Sequence, residues 1–243
     1  MKKISFILRN VVAIAICLAV TTMLSGCDND NDENDNGETF TINADVYTGT
    51  VLGDEHMAPY ILYTAANAKV SEEWGNGSGT ITGGKLAFTY GKPKNLKNIG
   101  ESEFIEMHIQ KYDYGSQLKN VTFSDPNAKS DYLRLCPELS VTFFTTLQKM
   151  NHIFQDAPSG STNTYIDVLN VYVDRDVTVN AAGGSDAWRH THEGIHLPLR
   201  KGWNEVYVKW VKTEIISSGA ANITEVVSWG IGDQGCKWVI SDW

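Results

Sequence analysis

Hydrophobic and polar residues alternate with a period of two along much of the chain after residue 39. The segments 40–46, 105–109 and 206–210 each place apolar side chains at every second position. Such alternation gives a strand one buried and one solvent-facing side. The pattern therefore predicts a series of half-buried β-strands.

Three further segments refine this pattern. Residues 165–173 are apolar on both sides and predict a central strand. Gly83 and Gly84 separate two apolar segments and predict a hairpin turn, because glycine readily adopts positive φ. Residues 143–154 are the one stretch with a competing helical spacing, although their first half is rich in the β-branched and aromatic residues typical of strands.

Many short strands separated by turn signals predict an all-β fold, an antiparallel β-sandwich with at most one short helix. A lipocalin-like barrel is the alternative. A polar seam at 124–130 divides residues 39–123, an expected Ig-like or transthyretin-like β module, from a second β module over residues 131–243. One large sandwich over both segments also fits the pattern.

Composition and charge exclude two classes of protein. The 243 residues are 42% hydrophobic, which is too rich for a disordered chain. The net charge is −9, and no basic block is present. Nucleic-acid binding requires a cationic face, so we expect no nucleic-acid partner.

The first 26 residues have the order of parts of a secretory signal peptide. Three basic residues precede an apolar run over 11–20, which is followed by Leu24-Ser25-Gly26-Cys27. The apolar run is too short to span a bilayer as a helix, which requires about 20 residues. Residues 28–38 contain no apolar side chain, so residues 27–38 are expected to form an acidic, disordered tether.

The segment Leu24–Cys27 resembles the lipobox of bacterial lipoproteins. This resemblance implies that Cys27 becomes the mature N-terminus and carries the lipid that makes a membrane the partner of the chain. The acidic run behind Cys27 resembles the export signal of Bacteroides-type surface lipoproteins. It implies an outward-facing position on the outer membrane, and the periplasmic face is the alternative.

A second resemblance lies within the folded part. Residues 171–179, Val-Tyr-Val-Asp-Arg-Asp-Val-Thr-Val, are followed by Leu-Pro-Leu-Arg-Lys-Gly-Trp-Asn at 197–204. The two phrases are similar to a strand–loop–strand signature in uncharacterised Bacteroides-type lipoproteins. The resemblance implies a lineage and a fold, and it assigns no catalytic residue.

Two cysteines remain after the signal peptide and Cys27 are set aside. Cys136 and Cys236 are an even pair in an exported protein, so a disulfide between them is permitted. Cysteine is also a common core residue, and two buried free thiols are the alternative.

A histidine cluster is the candidate metal site. Residues 192–196 match the zinc-peptidase pattern H-E-x-x-H, but Gly194 and Pro198 disfavour the helix that this chemistry requires. On a strand, His190, His192 and His196 share one side and could together hold Zn²⁺. Three solvent-exposed histidines on a strand edge are the alternative interpretation.

Aromatic residues supply the candidate ligand platform. Six of the seven tryptophans lie at or after residue 188. Trp188, in a glycine-rich loop, and Trp203 and Tyr207, on the polar side of a strand, are the predicted exposed aromatics on which a sugar can stack. The glycine-rich segment 230–235 is not followed by the helix that a dinucleotide-binding site requires. It therefore predicts a hairpin turn.

These observations predict a lipid-anchored, non-enzymatic protein that binds a glycan or another envelope polymer. The alternative is a structural or adhesive envelope subunit of the pilus kind, working through strand edges and other envelope proteins. A metal-dependent hydrolase is a distant third. No catalytic residue is assigned, and the only cofactor considered is zinc at the histidine cluster.

Overall fold

The computed structural model describes residues 39–48, 60–64, 67–72, 77–110, 118–138, 145–185, 190–217 and 220–242. These residues belong to one compact unit. The predicted signal peptide, the tether and Cys27 lie outside them, so they stay predictions. Within the described part of the chain, no helix is both long enough and apolar enough to cross a membrane.

Strands dominate the described residues. In chain order they are β1 (Phe40–Thr48), β2 (Ile61–Leu62), β3 (Ala68–Glu72), β4 (Gly77–Thr82), β5 (Lys85–Tyr90), β6 (Lys97–Asn98), β7 (Lys119–Phe123), β8 (Lys129–Tyr132), β9 (Leu135–Glu138), β10 (Thr145–Ala157), β11 (Gly160–Val173), β12 (Val177–Ala182), β13 (Gly184–Ser185), β14 (His190–His192), β15 (Ile195–Leu199), β16 (Gly202–Ser217), β17 (Ala220–Ile231) and β18 (Lys237–Asp242).

The strands form one large sheet and one small sheet. The main path of the large sheet runs β13-β14-β17-β16-β11-β10-β18-β1-β5-β4-β3-β9, and the small sheet runs β15-β12-β7. A bridge between Leu147 and Leu135 also joins β10 to β9, so part of the large sheet closes into a ring. The ring encloses a hydrophobic core that includes Val46, Phe88 and Leu147.

The small sheet packs on the large sheet around a second core. Val179 of β12 and Leu197 of β15 meet Val171 of β11 and Val206 of β16, and all four are fully buried. Two sheets packed around a shared core form a sandwich. The prediction of an all-β, sandwich-like fold is therefore confirmed.

Two strand pairs depart from the expected antiparallel arrangement. β1 pairs with β18 in parallel, and β14 pairs with β17 in parallel. Both pairings join segments far apart in the chain, which alternation within a single strand cannot reveal. The closed part of the large sheet also differs from an up-and-down lipocalin barrel because it contains the parallel β1–β18 pair.

The segment 105–109 was expected to be a strand, and this expectation is wrong. Phe104–Gln110 forms a π-helical turn after a short 3₁₀ turn at Ile99–Glu101. Phe104, Ile105 and Ile109 are completely buried in the second core. Residues four and five positions apart share a side of such a turn, so its buried positions partly imitate the alternation of a strand.

The segment with the competing helical spacing is extended where it is described. Thr145–Ala157 forms β10, which pairs with β18 on one side and with β11 on the other. Leu147 lies in the ring core, whereas Phe154 is 37% exposed on the opposite face of the strand. Pairing with the neighbouring strands therefore makes this segment extended, in spite of the three- and four-residue spacing of its apolar residues.

The predicted seam at 124–130 does not separate two domains. Strands from both sides of it hydrogen bond to each other, as β1 does to β18, β3 to β9 and β7 to β12. Each half would therefore expose unpaired strand edges if it folded alone. The described residues form a single unit for this reason.

One of the two predicted hairpin turns is present and the other is not. Gly83 and Gly84 have φ values of 57° and 77° and connect β4 to β5, as predicted for a hairpin. A β-carbon at Gly84 would also lie 2.5 Å from the Tyr63 carbonyl oxygen. The segment 230–235 is not a hairpin turn, because β17 and β18 are not neighbours in the sheet.

Candidate functional site

The histidines of the predicted metal site lie in different sheets. His192 is buried on β14 of the large sheet, whereas His196 is exposed on β15 of the small sheet. His196 Nδ1 forms a 2.8 Å hydrogen bond with Asn180 Oδ1. The described residues contain no group of three or more His, Cys, Asp or Glu side chains that could hold a metal ion.

Cys136 and Cys236 are both half-buried, and no disulfide joins them. Cys136 lies on β9, opposite Ser71 of β3. Cys236 precedes β18, and its thiol donates to the carbonyl oxygen of Ile166 on β11 at 3.8 Å. This arrangement corresponds to the alternative in which the two cysteines remain thiols.

The predicted aromatic platform is not assembled by the residues that the sequence suggested. Trp203 is partly buried and packs against the ring core, with its ring centroid 5.2 Å from that of Phe40, 5.1 Å from that of Tyr90 and 5.4 Å from that of Tyr172. Tyr207 is half-buried on the same face of β16. Both residues are covered because β16 is a central strand with a core on each face. Trp188 lies outside the described residues.

A different aromatic surface lies across β1, β18, β10 and β11, on the opposite face of the large sheet from Trp203. Tyr165 stacks on His152, with ring centroids 4.2 Å apart and an interplanar angle of 14°. Lys237 Nζ lies 4.7 Å from the ring centroid of Tyr47 and 5.6 Å from that of Tyr60. We call this surface the aromatic face, and its residues are Tyr47, Tyr60, His152, Tyr165, Asp167 and Lys237.

The strand register explains why these side chains share one face. His152 of β10 is directly opposite Tyr165 of β11, and Met150 is opposite both Asp167 of β11 and Lys237 of β18. Directly opposite residues of an antiparallel pair project to the same side of a sheet. Apart from Tyr60, which directly precedes β2, the residues of the aromatic face therefore lie on strands, which hold their side chains in fixed positions.

Asp167 is the acidic group of the aromatic face. It is half-buried, and burial raises the pKa of its carboxyl group to about 6. No described side chain forms a salt bridge with it. A carboxylate without a cationic partner in a partly apolar position is a frequent feature of binding sites.

Two buried polar atoms beside the stacked rings have no hydrogen-bond partner of normal geometry among the described residues. They are His152 Nε2 and Asn163 Oδ1. Burial lowers the pKa of His152, and the neighbouring Asn163 side chain offsets part of this effect. Buried polar atoms are almost always satisfied in folded proteins, so a bound hydroxyl group would match this location.

Tyr60 of the aromatic face and the neighbouring Cys236 remain protonated at neutral pH. Burial raises the pKa of Tyr60 to about 12, with further increases from Cys236 and Asp167. Burial also raises the pKa of the Cys236 thiol to about 12. The tyrosine can therefore donate a hydrogen bond to a ligand, and the thiol has little of the thiolate character that nucleophilic chemistry requires.

A buried lysine anchors the turn next to this surface. Lys149 is 9% exposed and forms salt bridges with Glu205 of β16 and, at 3.4 Å, with Asp233 of the 230–235 segment. The Asp233 carboxylate also accepts a hydrogen bond from the Gly235 amide, which contributes most to lowering its pKa. These contacts fix the connection from β17 to β18 and thereby the position of Lys237.

Asp167 makes the stability of the protein depend on pH in a predictable direction. Its pKa is raised in the folded state, so between pH 4 and 6 the folded chain binds more protons than the unfolded chain. The free energy of unfolding should therefore fall as pH rises through this window, by on the order of 2 kcal/mol.

The Asp167→Asn variant isolates this contribution, because Asp131 also has a pKa raised to about 6 by burial and titrates in both proteins. Urea unfolding of the two proteins at several pH values measures the difference. The stability of the wild type should decline relative to that of Asp167→Asn between pH 4 and 6. A difference that is constant with pH would contradict the burial of this carboxylate.

The chain was also compared with known proteins. No protein-family model, no curated protein and no solved structure matches it.

Proposed function

We propose that the chain is a lipid-anchored cell-surface protein that binds a glycan, without catalysis, at the aromatic face. The observation that carries this proposal is the stacked pair Tyr165–His152 beside the half-buried Asp167. Sugar rings present apolar C–H faces and hydroxyl edges, so a platform of rigid aromatic rings with nearby polar atoms suits them.

The polar groups around the rings complement the hydroxyl groups of a sugar. Asp167 accepts hydrogen bonds when it is ionised, and Tyr60 can donate one. His152 Nε2 and Asn163 Oδ1 are buried without a partner of normal geometry among the described residues. A hydroxyl group can act as donor and acceptor at once, and it would satisfy such atoms better than an apolar ligand would.

Binding to a panel of glycans tests the proposal. The soluble chain from residue 28 onward would be applied to immobilised oligosaccharides, and each hit would be measured by titration in solution. We expect binding in the micromolar to millimolar range, which is typical of shallow sites on a sheet surface. An absence of binding to every glycan at millimolar concentration would overturn the proposal.

The anchor rests on the lipobox resemblance and requires its own test. Replacing Cys27 by serine removes the sulfur that would carry the lipid. We expect the wild-type protein to fractionate with outer membranes and to be cut by protease added to intact cells. The Cys27→Ser variant should lose its membrane association. Retention of the variant in the membrane fraction would contradict lipidation at Cys27.

A structural or adhesive role is the second candidate, and one observation favours it. Ile216 near the end of β16 and Ile223 of the paired β17 are 55% and 43% exposed on the same face of the sheet. Clustered apolar side chains on a surface are frequent in protein interfaces. A protein that remains monomeric at high concentration and does not bind cell envelopes would contradict this candidate.

A further inference from the structure

The charge of Lys237 is not balanced by the rest of the described structure. The side chain is exposed, and its ammonium group lies over the rings of Tyr47 and Tyr60. No described carboxylate lies within salt-bridge distance of it. The tyrosine faces attract the cation and hold it in place, but they leave its positive charge available.

Two other lysines of the sheet differ in this respect. Lys149 is paired with Glu205 and Asp233, and Lys85 is paired with Asp45 at 2.6 Å. Lys237 is thus a positioned and unneutralised cation at the rim of an aromatic surface. This arrangement is suited to an anionic group that arrives with the ligand.

The two charges of the aromatic face are separated by one intervening strand. Asp167 of β11 and Lys237 of β18 flank Met150 of β10 in the same row of the sheet. With adjacent strands about 4.8 Å apart, the two backbone positions are about 10 Å apart. This separation is comparable with the length of a sugar ring and its substituent, so one ligand can contact both groups at opposite ends.

We infer that the glycan of the aromatic face carries an anionic sugar, such as a uronic acid, whose carboxylate pairs with Lys237. This inference rests on the proposed function. The ring of the sugar stacks on Tyr165, and its hydroxyl groups face Asp167. The chain carries a net charge of −9, which disfavours a densely charged polyanion and favours a ligand with isolated anionic groups.

Matched pairs of ligands test this inference. The probes are oligosaccharides ending in glucose, galactose or mannose, each paired with the oligosaccharide that ends in the corresponding uronic acid. The soluble chain should bind at least one uronic acid about tenfold more tightly than its neutral partner. The preference should decrease as salt concentration rises, because salt screens an exposed charge pair.

Two lysine variants locate the preference. Lys237→Met retains most of the aliphatic length and removes the charge, so it should abolish the preference for the acidic partner over the neutral one. Lys69→Met removes an exposed lysine of β3 and should keep the preference. Melting curves of both variants confirm that they are folded.

The outcomes separate the inference from the function on which it rests. Equal binding of neutral and acidic partners by the wild type, or a preference that survives in Lys237→Met, overturns the inference and leaves glycan binding intact. An absence of binding to every probe and to the wider glycan panel overturns both. Loss of the preference in Lys69→Met as well would show a nonspecific charge effect and would also overturn the inference.

Discussion

Replacing Trp203 by alanine is expected to lower the free energy of unfolding by about 3–5 kcal/mol. The indole contacts the rings of Phe40, Tyr90 and Tyr172, and so it joins β16 and β11 to the ring core. Removal of this side chain leaves a cavity between three aromatic rings that cannot collapse easily. Urea or thermal unfolding of wild type and variant measures the loss.

Glycan binding provides the matched control for this variant. Trp203 lies on the opposite face of the large sheet from Tyr165, so the folded fraction of Trp203→Ala should bind glycan as the wild type does. Trp203→Phe retains an aromatic ring and should lose less stability than the alanine variant. A stability loss below about 1 kcal/mol together with weaker glycan binding would show that Trp203 is a ligand platform and not a core residue.

Replacing Tyr165 by alanine is expected to weaken glycan binding by about tenfold or more, which corresponds to about 1.4 kcal/mol. In the proposed site the tyrosine ring provides the apolar surface for the sugar, and in the structure it stacks on His152. Removal of the ring therefore eliminates the contact with the sugar and also the stacking that positions His152. Titration calorimetry with the best glycan of the panel measures the change.

The control for this variant is Tyr165→Phe. It keeps the ring and the stack on His152, so a platform role predicts that most of the affinity remains. Circular dichroism and melting curves establish that both variants are folded. Binding that is unchanged in Tyr165→Ala would remove Tyr165 from the site, and an equal loss in both variants would assign the role to the hydroxyl group.

Alternation of apolar residues was sufficient to predict the strands because it follows from burial on one face of a sheet. The strands around residues 40–46, 165–173 and 206–210 are present as expected. The parallel pairing of β1 with β18 was not predictable, since it joins the two ends of the folded part and depends on long-range contacts. The π-helical turn at Phe104–Gln110 was not predicted, because the spacing of its buried residues partly resembles the alternation of a strand.

The sequence predicted an aromatic platform as the candidate site, but the aromatic face consists of other residues than those it suggested. The many tryptophans in the last part of the chain led to the prediction of a platform within residues 188–210. Trp203 instead packs against the ring core, because β16 has a hydrophobic core on each of its faces. One signal for the aromatic face was present in the sequence. Asp167 is the one charged residue of the central strand and lies two positions from Tyr165, and an acidic residue at such a position suggests a functional role.

The contacts of Lys237 could not be predicted in the same way. Its position depends on the connection from β17 to β18 and on the Lys149 salt bridges that hold this connection. The rings of Tyr47 and Tyr60 approach Lys237 from segments about 180 residues earlier in the chain. Only the folded sheet brings these groups together.

The central claim is that the ligand lies on the aromatic face, and mapping the bound glycan by nuclear magnetic resonance tests it most directly. A ¹⁵N-labelled soluble chain would be titrated with the best glycan of the panel. We expect the largest shift changes at His152, Tyr165, Asp167 and Lys237. Shift changes concentrated instead on the small sheet around His196, or around Trp188, would contradict it.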